Sequence, residues 1–138
     1  MERCNPALRA LRERLDAGEL GQVYQVLTRR QGPFPARIND VGVVKDLATH
    51  DIDLTAWVAG AHYESVHARV AHRSGRANED MVLATGRLTN GVIVSHTVNW
   101  LTPFKERVTV VTGEKGAFVA DTLTGDLTFH ANGTVAST

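Results

Sequence analysis

A chain of 138 residues, 43% hydrophobic and 22% charged, is long enough to bury one proper core and too short for two ordinary domains. Its formal net charge of zero supplies no field to gather a phosphate backbone or an anionic bilayer, so composition argues against nucleic-acid and membrane partners while leaving room for an anionic small molecule. The single Cys4 excludes an internal disulfide, and neither a membrane-length apolar run nor an N-terminal hydrophobic signal is present, which makes a cytoplasmic protein the expectation.

Asn5-Pro6 opens the first helix, a capping residue followed by a proline at the first helical position, and Leu8, Leu11 and Leu15 give it a buried stripe. Gly18 and Gly21 bound its exit, after which Gln22 to Arg30 alternates as a strand. From Arg29 to Asp40 the sequence reads as a loop, set by Gly32, Pro33 and Pro35 and carrying Arg29, Arg30 and Arg37. Arginine binds carboxylate or phosphate through a planar fork, so Arg30 and Arg37 are candidates for receiving an anion. Exposed loop charge accounts for them equally well.

A second helix runs from about Gly42 to Gly60, and the chemistry concentrates there. On a helical wheel Asp46, His50, Asp53 and Trp57 fall within an arc of roughly 60°, while Leu47, Leu54 and Val58 make one apolar side and Ala48, Ile52, Ala56 and Ala59 another. Such a helix packs between layers and turns its polar stripe toward a cleft. An acid four residues before a histidine lies beside it on the next turn, where the carboxylate orients the imidazole and raises its pKa, as a general acid/base pair requires. Taken alone, Asp-x-x-x-His is more often a first-turn acid followed by a core histidine.

Beyond Gly60 the pattern is strand-like. Ser65 to His72 alternates, Met81 to Leu88 and Val92 to Leu101 flank the hairpin signal Thr89-Asn90-Gly91, and Arg107 to Thr112 and Ala117 to Ala120 flank Gly113-Glu114-Lys115-Gly116. Leu127 to His130, followed by Asn132-Gly133, begins a third hairpin. Two helices and about seven strands in this order predict an α+β domain, a largely antiparallel sheet with helices on one face. His67, His72, His96 and His130 fall on predicted strands, but their spacings match no zinc pattern, and solvent-facing histidines are expected. His96, Asn99 and Trp100 are candidates for lining a substrate pocket, Trp100 by stacking on a sugar; a core tryptophan is the alternative.

The run Asp40 to Leu54, Asp-Val-Gly-Val-Val-Lys-Asp-Leu-Ala-Thr-His-Asp-Ile-Asp-Leu, resembles the substrate-domain motif of the glucose-fructose oxidoreductase and inositol dehydrogenase family (Gfo/Idh/MocA). The opening Glu2-Arg3-Cys4-Asn5-Pro6 and the Gly113-to-Gly116 hairpin are similar to the same family, with Cys4 where an aromatic is usual. The resemblance spans Glu2 to about Val135. Gly-Pro-Phe-Pro-x-Arg-Ile before the helix looks like the branch acting on nucleotide-linked amino sugars, such as UDP-N-acetylglucosamine 3-dehydrogenases. The resemblance implies the glyceraldehyde-3-phosphate dehydrogenase-like C-terminal fold, with Asp46 and His50 at catalytic positions. It also implies a dinucleotide-binding half before Met1 and further chain beyond Thr138. The family's Glu-Lys-Pro motif and a Gly-x-Gly-x-x-Gly are both missing here.

Residues 1–138 are therefore expected to form the substrate-binding and oligomerisation domain of an NAD(P)-dependent oxidoreductase acting on a secondary alcohol of a sugar, cyclitol or sugar nucleotide. Arg30, Arg37, Asp53 and Trp100 are its substrate-binding candidates, and no metal is expected. The cofactor, NAD or NADP, would bind the full-length enzyme and not this chain alone. A non-catalytic ligand-binding or oligomerisation module is the alternative, and a stand-alone hydrolase or isomerase lacks a nucleophile or metal to accompany the pair. Val92, Val94, Val98, Val108 and Val110, at alternating positions, suggest one apolar sheet face through which at least a homodimer forms.

Overall fold

The computed structural model describes residues 5–33, 49–73 and 79–132, and these form two helices and seven strands. Helix α1 (Pro6–Asp16) starts as its sequence dictates: Asn5 lies in extended backbone and its Oδ1 accepts from the Ala7 amide at 2.9 Å. Ala7, Leu8 and Leu11 form its buried stripe. Helix α2 (Thr49–Ala59) buries Leu54 and Val58 and ends at Gly60, whose φ of 67° suits a residue without a Cβ. Neither helix is long and apolar enough to cross a membrane.

The strands are β1 (Val23–Pro33), β2 (Tyr63–Ala71), β3 (Met81–Leu88), β4 (Ile93–Asn99), β5 (Leu101–Gly113), β6 (Gly116–Asp121) and β7 (Asp126–Ala131), in the spatial order β2-β3-β4-β1-β5-β6-β7. Only β1 and β4 pair in parallel; every other neighbouring pair is antiparallel. The α+β class read from the sequence holds, with a mixed sheet. Both helices lie on one face, α1 against β6 and β7 and α2 against β1 and β4. Between them and the sheet sits a core of Leu8, Leu11, Leu20, Val26, Leu54, Val94, Val111 and Phe118.

Three expectations need correction. The segment Arg29 to Pro33, read as loop from its glycine and prolines, continues β1: Arg29, Arg30 and Gln31 are held between β4 and β5. Pairing on both sides outweighs a local turn signal. The single strand expected over Val92 to Leu101 bends at Trp100, because the chain crosses the end of β1 there and returns as β5 on its other side. The five valines do not share a face. Val92, Val94 and Val98 are 3%, 0% and 0% exposed against the helix side, whereas Val108 and Val110 are paired with Arg29 and Leu27 on the opposite side. Matching sequence parity does not bring two strands to the same face once each has its own register.

Candidate functional site

Helix α2 runs antiparallel to β1. Its last residues lie by the β3–β4 turn, where Asn90 Nδ2 donates to the Ala59 carbonyl at 3.3 Å, and Leu54 borders the same small cavity as Arg30. The first turn, with Thr49 and His50, therefore lies toward the end of the sheet where β1 and β4 finish. Asp46 and Arg37 lie outside the described residues, and of His50 only the helical backbone is described. Asp53, one turn further on, is exposed. Trp57 is half-buried, with the Arg12 guanidinium 5.7 Å from its ring centre and Arg12 Nη1 donating to its carbonyl. The stripe Asp53–Trp57 is thus closed by α1 at its lower end.

Alternation on β1 separates the arginines. Arg30 is 6% exposed on the helix side and stands opposite Arg107 of β5 in register. The two guanidinium-bearing residues thus share one level of the sheet on its helix side. Arg29 points to the other face, where Glu106 lies 3.3 Å from its Nε. On that same face Gln31 Nε2 donates to Glu106 at 2.7 Å and Asn99 Nδ2 donates to Gln31 at 3.1 Å. Asn99 Oδ1 accepts from the Leu101 and Thr102 amides at 2.9 and 3.0 Å. Asn99 is thus the bracket that turns β4 into β5 across the end of β1. Trp100, at the bend, is 6% exposed and its amide donates to the Asp80 carbonyl at 3.0 Å.

His96 is the one histidine whose position overturns the solvent-facing expectation, at 2% exposure on the helix side of β4. Its Nδ1 lies 2.6 Å from Thr28 Oγ1 and its Nε2 2.8 Å from the Tyr63 hydroxyl. Burial lowers its pKa from 6.5 to about 4, so the imidazole is neutral, donating to one hydroxyl and accepting from the other. Tyr63 reaches His96 from β2 by crossing Gly86 of β3, where an added Cβ would sit 3.2 Å from the ring and 2.8 Å from the Ser65 carbonyl oxygen. The sequence carried a signal for this: His96 shares the parity of Val94 and Val98, the buried side of its strand. Nothing comparable marked Thr28, Tyr63 or Arg107.

The chain belongs to the Gfo/Idh/MocA family: the model for the GFO/IDH/MocA C-terminal domain matches residues 8–119. It is 37% identical over 76 residues to scyllo-inositol 2-dehydrogenase (NAD(+)) of Bacillus subtilis, covering 51% of this chain and 22% of that protein. Against UDP-N-acetylglucosamine 3-dehydrogenase of Acidithiobacillus ferrooxidans it is 35% identical over 96 residues, covering 69% and 29% respectively. The solved structure of that organism's UDP-N-acetylglucosamine 3-dehydrogenase GnnA superposes with a TM-score of 0.83 at 27% identity, over 95% of this chain and 42% of that one. The chain spans less than a third of the length of these two sequence relatives.

Proposed function

We propose that this domain binds the substrate of an NAD(P)-dependent oxidoreductase that oxidises or forms a secondary alcohol on a sugar, cyclitol or sugar nucleotide. The observation that carries the reading is the family match over residues 8–119, which takes in the Asp46/His50 run and the strand end beneath it. In this reading His50 removes or returns the hydroxyl proton, and Asp46, four residues earlier, holds the imidazole and stabilises its charged form. Arg30 and Arg37 give the corner its affinity for an anionic group, and Asp53, on the exposed side of α2, contacts sugar hydroxyls.

The residues described here do not fit a dinucleotide. Among them the sheet has one parallel pair, β1–β4, and the chain carries no Gly-x-Gly-x-x-Gly leading from a strand into a helix. The nicotinamide is therefore assigned to another domain of the full-length enzyme, and no step is routed through it. The protein is taken to work in the cytoplasm as a homodimer or higher homo-oligomer joined through the uncovered face of the sheet, without nucleic-acid or membrane partners.

In the full-length enzyme, His50→Ala is expected to lower kcat by at least about 100-fold, the low end of what general acid–base catalysis contributes, with KM changed little. Steady-state kinetics on a sugar-nucleotide or inositol substrate checks this. Unchanged turnover would remove His50 from the chemistry and favour a non-catalytic binding or oligomerisation module.

A further inference from the structure

We infer that Arg12 of α1 is a positioning residue for His50: by closing the C-terminal end of α2 it fixes how that helix is rolled about its axis, and with it the place of the imidazole at the strand ends. The inference rests on the reading of His50 as the group that moves the hydroxyl proton, and adds to it what holds that group in place.

An α-helix leaves its last four carbonyls without partners of its own, and in α2 each of them is met. The Ala56 carbonyl accepts from the Ala61 amide at 3.1 Å and the Trp57 carbonyl from the Gly60 amide at 3.3 Å, a pairing that a glycine in the left-handed region makes possible. The Ala59 carbonyl accepts from Asn90 Nδ2 at 3.3 Å. What remains is filled from α1. Arg12 Nη1 donates to the Trp57 carbonyl and, at 3.4 Å, to the Val58 carbonyl. Its guanidinium also stands 5.7 Å from the centre of the Trp57 ring, so one side chain holds both the backbone and the indole of the same residue. The negative end of the helix dipole and the ring face both favour a cation there. Its aim is set on its own helix, where Asp16 Oδ2, one turn on, accepts from Arg12 Nε at 3.2 Å.

Where this hold falls on the helix decides what it controls. Leu54, Thr55 and Val58, 2%, 1% and 3% exposed, face the sheet over an arc of about 100°. They fix how far α2 stands from the sheet, but a helix resting on one arc can still roll. Trp57 stands about 60° outside that arc, and His50, seven residues earlier, falls within about 20° of Trp57 and about 10.5 Å along the axis. Arg12 therefore grips the flank that carries His50. Side-chain ends lie about 5–6 Å from a helix axis, so a roll of about 10° moves them by about 1 Å. At a reacting group a displacement of that size costs on the order of 100-fold in rate.

The test is a double-mutant cycle in the full-length enzyme, read as kcat and KM on scyllo-inositol or UDP-N-acetylglucosamine, whichever it turns over. Arg12→Met keeps the aliphatic stem and removes the guanidinium. It is expected to lower kcat by about 10- to 100-fold with KM changed less than about twofold, since the imidazole moves while the contacts on β1 do not. In the His50→Ala background the same change is expected to lower kcat by less than about twofold, because no imidazole is left to misplace. Full turnover in Arg12→Met beside a normal His50→Ala loss would overturn the inference and leave the reading of His50 standing. An equal Arg12→Met loss in both backgrounds would do the same, since general loosening of the domain acts without His50. Unchanged turnover in His50→Ala would overturn both. If thermal melting shows that Arg12→Met does not fold, Asp16→Ala carries the test: that carboxylate side chain is 64% exposed, so the fold tolerates its loss. A fall in kcat that vanishes in the His50→Ala background is expected, and unchanged kcat would overturn the inference.

Discussion

A histidine with a hydroxyl at each ring nitrogen and almost no contact with water has one favourable protonation state, and His96 is held in it. Folding lowers its pKa from 6.5 to about 4 by burial. Between those values the unfolded chain binds the extra proton and the folded chain does not, so stability rises with pH there. The contribution is complete above about pH 6.5 and is lost as the pH falls toward 4, amounting to on the order of 3 kcal/mol. Urea denaturation of the wild type and of His96→Gln, compared at about pH 7 and about pH 4.5, should show a much flatter pH dependence for the variant. Equal slopes would mean that the imidazole is solvated and that its bonds to Thr28 and Tyr63 do not hold it neutral.

At the scale of elements, Asn5 has two jobs. Its Oδ1 caps α1 through the Ala7 amide at 2.9 Å, and its Nδ2 donates to the Thr122 carbonyl at 3.0 Å. The helix start is thereby tied to the β6–β7 turn, over which α1 lies. Asn5→Ala removes both bonds and should cost about 1–2 kcal/mol, while Asn5→Ser keeps a capping oxygen and should cost about half as much. Thermal melting of the three proteins checks the order. Helix α2 is held differently, through Leu54 and Val58 in the core and through the Arg12 contacts to Trp57. Its lower half is fixed by packing, and its first turn is carried to the strand ends by that anchorage.

For the molecule as a whole, the division of labour follows from the sheet. In the proposed reading, a largely antiparallel sheet with one covered face gives substrate the strand ends on the helix side and leaves the other face to a second copy, and among the described residues its one parallel pair, β1–β4, does not make a dinucleotide fold. Isothermal titration of NADH or NADPH into this chain is therefore expected to give no binding at micromolar concentration. The full-length enzyme should bind one of them. Tight binding by this chain alone would place a cofactor site within it and refute the assignment to another domain.

Much of this protein was legible before folding. Asn5-Pro6, Thr89-Asn90-Gly91 and Gly113-Glu114-Lys115-Gly116 mark a helix start and two hairpins because cap and turn preferences are set within a few residues. The Asp40 to Leu54 run, together with Asn5-Pro6 and the Gly113-to-Gly116 hairpin, carried the resemblance to the family that the match over residues 8–119 bears out. Which side of a strand is buried was another matter. Alternation states that two faces differ, but the partners on either edge decide which of them meets the helices. That is why Val94 and Val108 lie on opposite sides, why Arg30 is buried while Arg29 pairs with Glu106, and why His96 is a core residue. Glycine and proline signalled a loop at Gly32-Pro33, yet the strand persists there because β4 and β5 hold it on both sides as far as Gln31 and β5 stays opposite Pro33, and only the assembled sheet contains both partners.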